Sequence, residues 1–223
     1  MGDQSRWSDQ ERSELREAIR TRIMGELRLA LRGRPEIIQL CREVYIDDSS
    51  PDGEREGFAQ LAAEEFDRAA ARHATAQAEW PEATDCDRLD RVEAALRDRG
   101  ILLWQVSPCC DTCTTAEIRD RINGIERRHP GFRERVRGYA FFIDQNMPQM
   151  LSEGEEIGLY LGYGWMSSSG SSVAPERYEE IALGVGREVS ECLRDEGFTV
   201  DWDGKLSRKI GISLVWRRRT PVE

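Results

Sequence analysis

Gly100-Ile101-Leu102-Leu103-Trp104-Gln105-Val106-Ser107-Pro108-Cys109-Cys110-Asp111-Thr112-Cys113-Thr114-Thr115-Ala116-Glu117-Ile118 is the stretch on which the fold turns. Before Gly100 apolar residues recur every three or four positions. After it the continuous apolar run Ile101–Val106 predicts a buried strand, and Thr114 with Glu117 has the spacing of a capping box that starts a helix reaching Arg128. A turn of cysteines thus joins a strand to a helix.

Toward the C-terminus the pattern predicts strand Tyr139–Ile143, a short turn, strand Ile157–Trp165 and helix Pro175–Glu196. Strands Phe198–Trp202 and Lys209–Trp216 follow, joined around Asp203-Gly204. The order β-α-β-β-α-β-β predicts an α+β domain with a ferredoxin-like, split β-α-β, antiparallel-rich sheet and an added C-terminal hairpin strand, because the turn after Ile143 is too short for a crossover helix. In that topology the third strand lies between the first and the second. Two strand spacings then place Cys109 and Asp144 on the order of 10 Å apart along one sheet edge.

Toward the N-terminus, Leu15, Ile19, Ile23, Leu27 and Leu31 form one face of a helix from Ser8 to Arg32, with Ser8 and Glu11 at capping-box spacing. A second helix runs from Pro35 through Val44, before the acidic turn Asp47–Gly53. That turn lacks the alternating ligands and terminal Glu of a calcium loop and reads as a solvated linker. A third helix, Glu54–Glu79, stacks Phe58, Leu61, Phe66 and His73 near one stripe, which makes His73 a packed or interface histidine. A fourth starts near Thr84 or Asp85 and closes at Gly100. The expected division is a helical region over 1–83, an α+β domain over 84–219 and a tail over 220–223. The serine-rich run Ser167–Ser172 is the one stretch of low complexity.

The net charge of -10 and a pI near 5.0 disfavour a grip on phosphate backbones, so nucleic acid is not an expected partner. The first residues lack a signal-peptide pattern and no apolar run reaches the roughly 20 residues that span a bilayer. A cytoplasmic protein without a membrane partner is expected, its six cysteines mostly thiols.

The second half resembles an uncharacterised bacterial family, a domain of unknown function. The resemblance rests on Gly100-Ile101, Cys109-Cys110-Asp111-Thr112-Cys113, Gly138-Tyr139-Ala140-Phe141-Phe142 and Asp144-Gln145. It continues through Leu159-Tyr160-Leu161, Gly186-Arg187-Glu188-Val189, Trp202-Asp203-Gly204 and Trp216-Arg217-Arg218. It implies a fold and no activity.

Three sets of residues could carry chemistry. Cys110 and Cys113 form a Cys-x-x-Cys pair before a helix, whose positive end favours the thiolate needed for disulfide exchange; Cys109 adds a third thiol. Zinc wants about four ligands, of which Cys109, Cys110 and Cys113 supply at most three. His129 lies at the far end of a helix of about 15 residues, roughly 20 Å away, and is no fourth. The economical alternative is that small thiols fill a tight turn. The third set is a pocket bounded by Asp144 and Gln145 and by a strand face of Gly158, Tyr160, Gly162 and Gly164, where missing side chains admit close approach. No complete catalytic set is visible, so enzymatic activity stays open and no cofactor is expected beyond that zinc alternative. A protein-binding or interaction module, adaptor- or immunity-like, is the leading expectation, with a thiol or zinc site and a small-molecule pocket as alternatives.

Overall fold

The computed structural model describes residues 7–108, 110–167 and 173–219. Cys109, most of the serine-rich run (168–172) and the tail 220–223 lie outside the described residues. In chain order the elements are α1 (Asp9–Leu29), α2 (Arg34–Cys41), a π-helical turn (Arg42–Ile46), α3 (Asp47–Ser49), α4 (Arg55–Ala78) and α5 (Asp85–Asp98). Next come β1 (Ile101–Ser107), α6 (Asp111–Glu126), α7 (Phe132–Arg135), β2 (Gly138–Ile143), α8 (Met147–Glu153) and β3 (Glu156–Trp165). Last are α9 (Pro175–Asp195), β4 (Val200–Asp201) and β5 (Ile210–Val215). They form two compact units. A helical one takes the residues up to Glu82, Asn146–Glu155 and those from Trp216 on; an α+β one takes Ala83–Gln145 and Glu156–Val215. The expected α+β domain over 84–219 also takes in Asn146–Glu155 and residues 216–219, which fall in the helical unit.

In the helical unit, Ser8 caps α1 with its hydroxyl on the Glu11 N–H, and the Glu11 carboxylate accepts from the Ser8 N–H at 2.7 Å. The four-residue ladder Leu15, Ile19, Ile23 and Leu27 is buried against Ile37, Cys41, Ile46, Phe58, Ala62, Phe66 and Ala69. At about 25 cal/mol per Å² of apolar surface, that shared core is what holds α1, α2, the π-helical turn and α4 together. Leu31, expected on the same face, lies beyond the helix end at Ala30 and is exposed. Helical structure also runs further than expected after Val44, through Ser49, so the acidic turn begins at Ser50. α8 stands where a short turn was expected. Seven residues with Pro148 near the start and two buried apolar side chains, Met147 and Leu151, give too short a period to recognise.

His73 of α4 is buried, edge-on to Trp80 at 5.4 Å between ring centroids, and its Nε2 has no hydrogen-bond partner among the described residues. Burial pushes its pKa down, the Arg28 guanidinium pushes it further, and Glu155 opposes them. The folded protein therefore keeps His73 neutral at a pH where the unfolded chain, titrating near 6.5, takes a proton. Stability contributed by the neutral ring is present above about pH 6.5 and is lost as pH falls through that value toward the depressed folded pKa. Urea midpoints measured from pH 7.5 to 5 should fall more steeply for the natural protein than for His73→Asn. Parallel slopes would show that His73 is not the group responsible.

In the α+β unit, Thr84 caps α5 through its hydroxyl and Asp87, and Gly100 at φ 75° turns the chain into β1. The α+β class is as expected, and the sheet is mixed, in the order β1-β2-β3-β5-β4. β1 and β2 are parallel and adjacent, from Ile101↔Gly138 to Trp104↔Phe141. The pairs β2·β3, β3·β5 and β4·β5 are antiparallel. The expected ferredoxin-like placement of β3 between β1 and β2 is therefore corrected. A split β-α-β does exist, but around α9: β3 and β4 run parallel with β5 between them.

Side-chain phase explains this order. β1 is apolar on both faces, and so is β2, where Tyr139 and Phe141 alternate with Ala140 and Phe142. Paired, they keep both faces covered, with Leu102, Trp104 and Phe141 packed under Ile118, Ile122 and Ile125 of α6. β3 is apolar on one face only. Its Ile157, Leu159 and Leu161 pair with Leu214, Ile212 and Ile210 of β5, whereas Gly158 and Tyr160 pair with Ser213 and Gly211. Two strands of matching phase lie together, and their other face is open, with Tyr160 66% exposed. Of the two glycines inside α9, Gly186 abuts Tyr163 and Trp202, while Gly184 faces open space. Among the described residues no helix is long and apolar enough to cross a membrane.

Candidate functional site

The cysteine turn sits at the C-terminal ends of β1 and β2. α6 begins at Asp111 and not, as the Thr114/Glu117 spacing suggested, at Thr114. The Cys110 sulfur itself takes the capping position, accepting the Cys113 N–H at 3.5 Å, and the Thr114 N–H donates to the Cys110 carbonyl at 2.9 Å. Thr114 is consequently inside the first turn. It is fully buried, and its hydroxyl is hydrogen-bonded to that of Ser107, also fully buried. Cys110 is exposed and Cys113 half-buried, and the Cys110 thiol donates to the Cys113 sulfur across 3.3 Å.

A backbone irregularity positions this turn. Four residues of β1, Trp104 to Ser107, lie opposite three of β2, Phe141 to Ile143. The extra residue is a bulge. Val106 carries it at φ 52°, a left-handed conformation that costs an L residue roughly 1–2 kcal/mol and is rarer still for a β-branched one. The bulge shifts the alternation by one, so Ser107 faces α6 alongside Ile143 instead of away from it. The Ser107–Thr114 hydrogen bond depends on that shift.

Around the turn, Asp111 Oδ2 is paired with Lys209 Nζ at 2.6 Å, tying the first residue of α6 to the residue before β5. The Thr115 hydroxyl donates to the Asp111 carbonyl. Asp144 follows β2 directly, and its N–H donates to the Ser107 carbonyl at 2.8 Å. It is thus one strand spacing, about 4.8 Å, from β1, where the split topology implied two. Asp144 is half-buried and Gln145 exposed.

The structure brings Cys110, Cys113 and Asp144 to one edge but does not join the glycine face to them. The β2·β3 ladder ends at Phe141↔Gly162, before Asp144. A Cβ at Gly164 would meet Tyr139 Oη at 2.5 Å, and one at Gly162 the Phe141 ring at 3.0 Å. Those two glycines seat the chain's own rings. Gly158 and Tyr160 lie on the open half of the sheet. Ser107 and Lys209 were not recognised as neighbours of the cysteines. Lys209 left a faint signal as one of two lysines in an arginine-rich chain, whereas the bulge that turns Ser107 inward left none.

Of the three thiols in the zinc alternative, Cys109 lies outside the described residues. Among the described residues no group of three or more His, Cys, Asp or Glu side chains is gathered as a metal site needs, and Cys110 and Cys113 supply two thiols. The other thiols contrast with the pair. Cys41 and Cys192 are buried, and burial pushes Cys41 up to about 11 and raises Cys192 as well. Cys86 is buried too. Cys110 and Cys113 alone among the described cysteines combine access to solvent with a helix start.

The model of a family described as a domain of unknown function (DUF6891) matches residues 11–220, so its extent takes in the N-terminal helices as well as the sheet. No curated protein and no solved structure matches the chain.

Proposed function

We propose, for a chain that belongs to this family of unknown function, that the Cys110–Cys113 pair is a thiol–disulfide exchange site. One observation carries the reading: Cys110 is at once exposed, the N-cap of α6, and 3.3 Å from the sulfur of Cys113. The Cys113 N–H and the positive end of a 16-residue helix both favour negative charge on the Cys110 sulfur, and the thiolate is the nucleophile in exchange. Cys113, one turn deeper, is placed to resolve.

In the reductive direction the Cys110 thiolate attacks one sulfur of a substrate disulfide. A Cys110–substrate S–S bond forms, the substrate S–S bond breaks, and the first substrate thiolate leaves. Cys113, having lost its proton to solvent, attacks the Cys110 sulfur. The Cys110–Cys113 bond forms and the second substrate thiolate leaves, both substrate thiolates taking protons from water. The substrate gains two electrons and the pair loses two, so each cycle needs an external thiol reductant to restore the dithiol. An exposed turn can be reached by a disulfide on another protein, which unites this reading with that of a protein-binding module.

The test is to mix reduced protein with a disulfide-bonded peptide and follow the products by mass spectrometry. The natural protein should end with a Cys110–Cys113 disulfide. Cys113→Ser should accumulate a mixed disulfide on Cys110, and Cys110→Ser should react at least about ten-fold more slowly. If both single variants react at the natural rate, or the mapped disulfide joins other cysteines, the proposal fails.

A further inference from the structure

A second feature stands apart from the thiols, in the helical unit. α1, α4 and α8 enclose an open cavity of about 430 Å³ lined by Arg20, Arg68 and Arg72 together with Thr21, Glu65 and Ser152. In a chain of net charge -10, three guanidiniums at one cavity are out of keeping with the average surface.

Their arrangement has an identifiable organiser. The Glu65 side chain is 7% exposed, and its Oε1 accepts from Arg20 Nε at 2.8 Å while lying 2.8 Å from Arg20 Nη2 and 3.2 Å from Arg68 Nη2. One buried carboxylate therefore holds two guanidiniums. It neutralises one charge of the two and fixes the stems of both, leaving N–H groups for another acceptor. Arg72 lies one turn beyond Arg68 on α4, and no ion pair or side-chain hydrogen bond engages it among the described residues. Glu17, the remaining charge on the lining, is a rim residue with 73% of its side chain exposed, 4.0 Å from Arg20. The lining carries three guanidiniums against the Glu17 and Glu65 carboxylates, one net positive charge, while Glu64, off the lining, lies 4.0 Å from Arg68 Nη2; Thr21 and the apolar Met24 and Ala69 complete the wall.

We infer that this cavity binds a phosphate group, held by Arg20, Arg68 and Arg72, with the volume to accept the small organic molecule that carries it. Planar guanidiniums match the oxygens of phosphate, which favours arginine over lysine at such sites. A cavity of this size lies within the range that takes small ligands.

The experiment is calorimetric titration of the full chain at constant ionic strength with inorganic phosphate, glycerol 3-phosphate and, as reference, chloride. Saturable binding of either phosphate is expected. Tighter binding of glycerol 3-phosphate identifies an ester site, and equal or tighter binding of inorganic phosphate identifies a site for the free ion. Arg72→Gln should weaken binding about ten-fold or more while leaving the melting temperature of the ligand-free protein unchanged, since Arg72 has no ion pair or side-chain hydrogen bond among the described residues. The exposed Arg133→Gln should leave affinity unchanged. Heats no different from those of chloride, or equal losses in Arg72→Gln and Arg133→Gln, would overturn the inference.

Discussion

Gly25→Ala is expected to destabilise the protein by about 3 kcal/mol or more, although alanine is the better helix former by about 1 kcal/mol. The two effects have opposite signs, so the experiment decides between them cleanly. Gly25 is buried in α1, and a Cβ there would lie 1.9 Å from the Pro148 carbonyl oxygen, 2.5 Å from its carbon and 2.8 Å from its Cα. The obstacle is the backbone of α8, which cannot rotate aside as a side chain can. To admit a methyl group α8 must lift from α1. One hydrogen bond registers the docking, Arg28 Nη1 to the Leu151 carbonyl at 2.5 Å, and the Arg28 carbonyl in turn accepts from Trp216 Nε1 at 3.0 Å, with Trp216 1% exposed. Denaturant unfolding should give a markedly lower midpoint for Gly25→Ala, and Pro148→Ala added to it should restore nothing, because the clash is with main-chain atoms. A midpoint equal to or above that of the natural protein would mean that α8 does not rest on Gly25.

What was legible in the sequence was whatever depends on near neighbours along the chain. The Ser8/Glu11 cap, the helix start near Thr84, the Leu15-to-Leu27 ladder and the phase of β3 follow from spacing alone, and the structure contains them. Strand order was not legible, because it depends on which faces other elements cover. The phases of β1 and β3 were visible, but comparing them as a pairing rule requires knowing that α6 covers only one half of the sheet. α8 and Gly25 explain each other, yet they are far apart in sequence and neither carries a local signal.

The candidate site divides along the same line. The Cys-x-x-Cys spacing and its place before a helix were readable. The helix start was misplaced because side-chain oxygens are the usual caps, so Thr114 was preferred over a thiol. With Cys110 as the cap, both thiols enter the first turn, and the dithiol reading gains the geometry that packing alone would not require. The bulge at Val106 could not be foreseen, since a β-branched residue is among the last expected in a left-handed conformation. The buried Ser107–Thr114 hydrogen bond is what its strain secures.

Gly100→Ala is expected to be about as damaging as Gly25→Ala, for two reasons that can be separated. The residue sits at φ 75°, which costs an L residue roughly 1–2 kcal/mol. A Cβ would also fall 2.4 Å from the Arg135 carbonyl oxygen, main-chain again, where overpacking adds about 1–3 kcal/mol. The position has little room to yield. The Gly100 N–H donates to the Arg97 carbonyl, closing α5, and its own carbonyl accepts the Arg137 N–H at 2.8 Å, one residue before the ladder opens at Ile101↔Gly138. Displacing Gly100 therefore disturbs the helix stop and the β1·β2 register together. Gly100→Asn provides the separation, because asparagine tolerates the left-handed region but still carries a Cβ. If the Arg135 contact dominates, unfolding midpoints of the two variants should fall together. An asparagine variant close to the natural protein would assign the cost to φ, and an alanine variant as stable as the natural protein would refute both terms at once.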